Sequence, residues 1–278
     1  MGFSVIIPTR NSAKTLPHAL SSVSQCRSEI AEIVVVDAMS TDGTPEIASS
    51  FGAKVLSLRS GKTEARKKGL NQSSGEHILL LDSDQVLGPD GLAELTEVLQ
   101  HYDMVIIPEG SMGTTRWEKL LNAQREAALR SGRALPRAFR RQVLESKLPL
   151  VDTEEAEDRR LLGLCLEQGF SLGVAPMAYI LNVDGSVDVH IRKLFFYGAG
   201  HAGKVSQGLK SMMLRARAPN TPKVSSDSGG KFPVWSAVYK AIKYCALLYG
   251  LAYEKVSRAL SLTRTRTESR GGKTREGA

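Results

Sequence analysis

The sequence predicts an α/β fold built on a largely parallel sheet. Short apolar runs alternate with amphipathic stretches through the first 108 residues, and each run ends in polar or turn-forming residues. Strands that alternate with helices of this length pair in parallel through right-handed crossovers. Composition agrees: with 278 residues, 42% hydrophobic and 24% charged, the chain can bury a core and is neither disordered nor collagen-like.

Taken in order, strands are expected at Phe3–Ile7, Ile33–Asp37, Lys54–Ser57, His77–Leu81 and Met104–Ile107, with helices near Ala13–Ser24, Thr44–Ser50, Lys62–Asn71 and Pro89–Gln100. The run Gly2–Ile7 ends at Pro8 with no basic flank or small-residue cleavage site, so it reads as a buried strand, not a signal peptide. Thr44-Pro45-Glu46 reads as an N-cap followed by Pro at the first helical position, and Gly88-Pro89-Asp90 opens the next helix. Beyond Pro108 the pattern loosens. Helices are expected at Thr115–Ser131 and Glu154–Gln168, with a basic loop, Arg133–Arg141, between them. Three scattered cysteines, Cys26, Cys165 and Cys245, form no ligand set and argue against a zinc module or disulfide scaffold.

Charge divides the chain. From His190 onward there are 17 Lys/Arg against 4 Asp/Glu, a net of +13, whereas the preceding residues carry 20 against 25. The whole-chain charge of +8 therefore belongs to the last third, which suits a phosphate-bearing partner, either nucleic acid or an anionic membrane.

Ligands on parallel sheets bind at the carboxyl ends of the strands. Those ends read Pro8-Thr9-Arg10-Asn11, Asp37-Ala38-Met39-Ser40 and Asp82-Ser83-Asp84. Two carboxylates one residue apart repel each other, and a helix N-terminus or a divalent cation relieves the repulsion. An isolated Asp-x-Asp often does no more than cap a helix, here the one opening near Pro89.

Considered together, SVIIPTRN, EIVVVDAMSTDGT, EARKKGLNQSSGEHILLLDSD and the later RAFRRQVLE…EEAEDRRLL resemble the family 2 glycosyltransferases, over about Gly2 to Gly169. The resemblance implies the GT-A nucleotide-diphospho-sugar transferase fold and inverting sugar transfer with Mn²⁺ or Mg²⁺. It places Pro8, Thr9, Asn11, Asp37, Arg66 and Asp82 around the nucleotide-sugar, and Asp82, Asp84 and His190 at the metal. It makes Asp158 the general base, with Glu157 as alternate, because an attacking hydroxyl must lose its proton. Helix N-terminal electrostatics alone explain Glu154 and Glu155. Ala38 and Met39 depart from the commoner Asp-Gly, and Lys67 from a frequent Asn, which leaves base and sugar preference open. Gly198–Gly203 satisfies G-x-G-x-x-G but follows no clean strand, so it reads as close packing or a bend.

The expected division is 1–190 catalytic (1–108 nucleotide-sugar half, 109–190 acceptor half), 191–266 basic and helical, and 267–278 a disordered tail. Phe232–Tyr253 carries apolar residues at helical spacing with Lys240 and Lys243 opposite, which suits an in-plane membrane helix better than a span. The run Arg192–Lys223 adds seven cations and no acid. The expectation is thus a cytoplasmic enzyme held peripherally at the inner face of the cell membrane through residues 192–253, acting on a hydroxyl of a lipid-linked or polysaccharide acceptor. A core or dimer helix is another reading of Phe232–Tyr253 and leaves homo-oligomerisation open. The alternatives are a polyprenyl-phosphate glycosyltransferase, whose acceptor needs no base, and a nucleic-acid-binding protein, which leaves the paired aspartates unexplained.

Overall fold

A computed structural model of the chain describes residues 2–113, 115–152 and 157–183. These fall in one compact unit, Met1–Gly185, distinct from a second unit beginning at Ser186. His190, Gly198–Gly203, Phe232–Tyr253 and the tail lie outside the described residues, as do Glu154 and Glu155.

The elements run β1 (Phe3–Thr9), α1 (Leu16–Ser24), β2 (Ile30–Asp37), α2 (Thr44–Ser50), β3 (Lys54–Ser57), α3 (Lys62–Asn71), β4 (His77–Leu80), β5 (Gln85–Leu87), α4 (Gly91–His101) and β6 (Met104–Ile106). Then come β7 (Glu109–Ser111), α5 (Arg116–Arg130), β8 (Pro136–Arg140), α6 (Arg141–Lys147), α7 (Glu157–Glu167), β9 (Leu172–Val174) and β10 (Ile180–Asn182). The main sheet has the order β3-β2-β1-β4-β8-β6-β9, and β5-β10-β7 form a smaller one.

β1 is the centre of the parallel half, pairing with β2 on one side and β4 on the other. The chain winds outward to β3 on one side and returns to β4 on the other, so the topology switches between β1 and β4. In sheets of this kind the crevice at such a switch receives ligand. Alternate residues of β1 enter different layers, as the two-residue strand period requires. Phe3, Val5 and Ile7 join the cluster with α1 and α4 residues, while Ile6 joins the opposite cluster with Ile78, Leu80, Phe139 and Leu161. Burial on both faces explains why the middle of β1, Val5–Ile7, is continuously apolar.

Helix α3 lies unusually close to this sheet. A Cβ at Gly69 would meet Ile6 Cγ2 at 2.5 Å and Val36 Cγ2 at 3.3 Å. Glycine here lets the helix settle onto β1 and β2, and the seating of α3 sets where Lys62 and Arg66 stand.

Two expectations are corrected. Arg133–Arg141 is no simple loop: Pro136–Arg140 is β8, antiparallel to both β4 and β6 in the interior of the sheet. Its charge obscured it, because Arg137 is buried by ion pairing and not by apolarity. Thr44 is not the N-cap. Gly43, at φ 80°, takes that place, and Thr44 is the first residue of α2, its N–H donating to Asp42 Oδ1 at 3.2 Å. The three-residue strands β5, β7, β9 and β10 are too short for a period to reveal. α5 matches expectation closely: Thr115 and Glu118 form a capping box at its start.

Candidate active site

The site is assembled from the ends of β1, β2 and β4, one face of α3, β8 and the first turn of α7. On the β1–β2 side, Asp37 closes its strand opposite Thr9 in register. It is 1% exposed and accepts from Thr9 Oγ1 at 3.0 Å, Ser40 N at 2.8 Å and Ser40 Oγ at 2.5 Å. Ser40 Oγ in turn accepts from Asn11 N at 2.8 Å, and Asn11 Oδ1 accepts from Thr41 N at 3.0 Å. Pro8 precedes this loop, paired in register with Val36. Asn11 (φ 49°) and Met39 (φ 59°) are both left-handed. At Met39 that backbone explains why glycine is the commoner residue: a Cβ there carries a steric cost of about 1–2 kcal/mol.

On the β4 side, Lys62 and Arg66 lie four residues apart on α3 and so share a face. Lys62 Nζ lies 2.8 Å from Asp82 Oδ1 and 2.9 Å from Oδ2. Arg66 Nη2 is 3.4 Å from Asp82 Oδ1. The same two cations reach α7, where Glu157 Oε1 is 3.6 Å from Lys62 Nζ and 3.4 Å from Arg66 Nη1. Asp158 Oδ1 bonds Arg66 Nη1, and its Oδ2 lies 3.4 Å from Arg137 Nη1. Arg137 also donates from Nε to Glu109 Oε1 at 2.8 Å. Ser83, between the paired aspartates, has its hydroxyl 2.9 Å from that of Ser12, which ties the DSD turn to the β1 loop. Asp84 accepts Val183 N at its carbonyl, 2.8 Å away, which anchors the turn to the end of β10.

Electrostatics follow from this packing. Burial alone would raise the Asp82 and Asp158 pKa values, but Lys62, Arg137 and Arg66 overcome it at Asp82, and Arg66, Arg137 and Lys62 do so at Asp158. Both carboxyls are held below their ordinary range and stay ionised. Burial would likewise depress the Arg66 and Arg137 guanidiniums, but their carboxylate partners raise both above the normal value. Arg66 is 1% exposed, and its Nε has no hydrogen-bond partner among the described residues, an orphan donor suited to an anionic ligand.

The sequence-predicted residues therefore gather into two groups. Pro8, Thr9, Asn11 and Asp37 form one; Arg66, Asp82, Glu157 and Asp158 form the other, with Asp84 on the adjoining turn. Asp82 is no helix cap, since β5 stands between it and α4. Lys62, Arg137 and Glu109 were not anticipated. Lys62 had a signal in its four-residue spacing from Arg66; Arg137 and Glu109 meet only through tertiary pairing.

Asp82 and Asp84, one residue apart just after β4, are of the ligand type a divalent cation takes. The ion-paired cluster holds four carboxylates (Asp82, Glu109, Glu157, Asp158) and three cations (Lys62, Arg66, Arg137). A net negative cluster does not by itself attract a diphosphate, and a divalent cation reverses that sign. Among the described residues no three His, Cys, Asp or Glu side chains form a ready metal cage. Two carboxylates completed by substrate phosphates are the usual arrangement for Mg²⁺.

Comparison with known proteins agrees with this architecture. A poly(ribitol-phosphate) β-N-acetylglucosaminyltransferase, TarS, from Staphylococcus aureus is 33% identical over 120 residues, covering 38% of this chain and 21% of its own. An uncharacterised glycosyltransferase of Nostoc sp. is 31% identical over 175 residues, 54% of either chain. The chain thus spans between about a fifth and about half the length of these relatives. Among solved structures, a glucosyl-3-phosphoglycerate synthase from Mycobacterium tuberculosis with Mn²⁺ and UDP-glucose superposes with TM-score 0.53 at 22% identity, covering 74% of this chain and 78% of that one. TarS residues 1–349 with UDP superpose with TM-score 0.53 at 22% identity, covering 78% and 76%. These likenesses show the fold, the GT-A arrangement expected from the sequence. The profile of glycosyl transferase family 2 matches residues 4–150, more than half of the 278, and the chain belongs to that family.

Proposed function

We propose that this chain is a metal-dependent inverting glycosyltransferase that moves a sugar from a nucleotide-diphosphate sugar to an acceptor hydroxyl. The observation that carries it is the convergence of Asp82, Glu157 and Asp158 on half-buried Lys62 and buried Arg66 of α3, beside the topological switch point. Asp37 and Thr9, with the Asn11 loop, form the nucleoside pocket. Asp84 and Asp82 would hold Mn²⁺ or Mg²⁺, which offsets the charge developing on the departing diphosphate. Lys62 spans both Asp82 oxygens, and on donor binding it would be free to pair with the diphosphate in place of Asp82. The orphan Nε of Arg66 supplies a further donor to the phosphate side.

Inversion is a single in-line displacement at the anomeric carbon. The acceptor hydroxyl attacks, the bond to the diphosphate oxygen breaks, and Asp158 takes the hydroxyl proton. A carboxylate held at low pKa is fully ionised but weakly basic, so the proton leaves late, once bond formation has acidified the hydroxyl. Glu157, also within reach of Arg66, is the alternate. One observation favours a second reading: two guanidiniums clamp Asp158, and a phosphate acceptor would need no base at all. His190 and residues 192–253 complete the proposal from sequence alone, as a metal or diphosphate contact and a cytoplasmic membrane-surface attachment. Among the described residues no helix is long and apolar enough to cross a membrane.

A calorimetric panel of nucleotide-diphosphate sugars with and without Mn²⁺ tests the reading; absence of binding to every donor would sink it. Asp158→Asn should lower kcat by roughly 10²–10⁴-fold with donor affinity retained. Near-full activity would select the phosphate-acceptor alternative.

A further inference from the structure

A cavity of about 340 Å³ lies between α5, the segment leading into β8 and the start of α7. Four arginines line it, Arg125, Arg133, Arg137 and Arg159, with only two carboxylates, Glu109 and Glu126. Both carboxylates are already engaged. Glu109 accepts from Arg137 at 2.8 Å, and Glu126 is paired with Arg130 one turn along α5. Arg133 donates from Nε only to the neutral Ser131 hydroxyl at 2.8 Å, and no ion pair joins Arg133 or Arg159 to a described carboxylate. Arg133 and Arg159 therefore make the cavity positive, beside an apolar floor that includes Ile107 and Leu129. Guanidiniums beside an apolar wall are well suited to a phosphate ester, whose oxygens match their planar fork.

Position relates this cavity to the chemistry. Arg137 belongs to both places: it lines the cavity and lies 3.4 Å from Asp158 Oδ2. Arg159 follows Asp158 directly on α7. We propose that the cavity binds a phosphate ester carried by the acceptor, so that Arg133 and Arg159 hold the anion while a neighbouring hydroxyl of the same molecule meets Asp158. The volume, near the low end of small-molecule pockets, accommodates a phosphate with about one polyol unit. This deepens the glycosyltransferase reading and rests on it, because it names the acceptor class as a phosphorylated polyol.

The test compares glycerol 3-phosphate with glycerol on the full chain by calorimetry, in the presence and absence of UDP and Mn²⁺. Glycerol 3-phosphate should bind and glycerol should not. The exposed pair Arg133→Gln/Arg159→Gln should weaken that binding at least tenfold, while Arg133→Lys/Arg159→Lys restores part of it and UDP affinity is unchanged. Both side chains are exposed, so the substitutions leave the fold intact. Vesicles of phosphatidylglycerol, set against phosphatidylcholine, identify the source of the phosphate. Binding to the lipid alone that is lost in the Gln pair supports a lipid-borne ester, and binding to glycerol 3-phosphate supports a soluble or polymer-borne one. Binding of neither probe, or of either probe equally by the Gln pair, overturns the proposal while UDP binding upholds the donor site. Anion binding without nucleotide binding overturns the assignment to an acceptor.

Discussion

Asp37 and Asp82 stand after neighbouring strands on either side of β1, yet they are held in opposite ways. Asp37 is ringed by neutral donors, two hydroxyls and one backbone amide. Asp82 is gripped by Lys62 and Arg66, and through them is linked to Glu157 and Asp158 on a helix far along the chain. Neutral hydrogen bonds fix an acceptor in place with little net charge to rearrange. Ion pairs can be exchanged, so a ligand that brings its own charge can take over partners. The nucleoside side is thus built to stay still, and the diphosphate and acceptor side to change partners.

Breaking the charged side should have the largest effect. Arg66→Met leaves Asp82, Glu157 and Asp158 without their shared buried cation and should cost about 3–5 kcal/mol in denaturant unfolding. Breaking the neutral side should cost less. Asp37→Asn places an amide N–H₂ among donors and should cost about 1–3 kcal/mol by the same measurement. If Asp37→Asn proves the more damaging of the two, the contrast is wrong. Gly69→Ala tests whether the seating of α3 matters, since its Cβ would overlap Ile6; the overpacking should cost about 1–3 kcal/mol.

Acid sharpens the contrast further. The Asp82 and Asp158 pKa values are depressed in the folded state, so their contribution is complete above the unfolded carboxyl value near 4 and is lost as pH falls through the folded values. Stability measured by chemical unfolding should therefore fall below about pH 4, and Arg66→Lys should shift that loss to higher pH, since its smaller head spans fewer carboxylates. The smallest effect belongs to the neutral loop. Met39→Gly relieves a left-handed backbone but adds chain entropy, and should change stability by less than about 1 kcal/mol.

Much of the nucleotide half was legible from sequence because its signals are local. The bounds of α2, β3 and α3 agree with the periodicity, and Thr9, Asp37 and Asp82 come at strand ends where an alternating pattern puts them. Met39 stands out as a departure from Asp-Gly, and its left-handed backbone makes that departure a costly one. The acceptor half was less legible. β8 carries arginines where a strand inside a sheet ordinarily carries apolar residues, and its burial depends on partners 21 and 28 residues away.

What the sequence determined by itself is the alternation of strand and helix, the placing of polar groups at the carboxyl edge and the charge division at His190. These depend on neighbours a few residues apart. Only the tertiary structure decided that β8 completes the sheet, that Arg137 joins Asp158 to Glu109, and that one face of α3 serves carboxylates from both halves. An ion pair between distant segments leaves no period in the chain: it is decided by the approach of two backbones, here set by a glycine that lets α3 rest on β1.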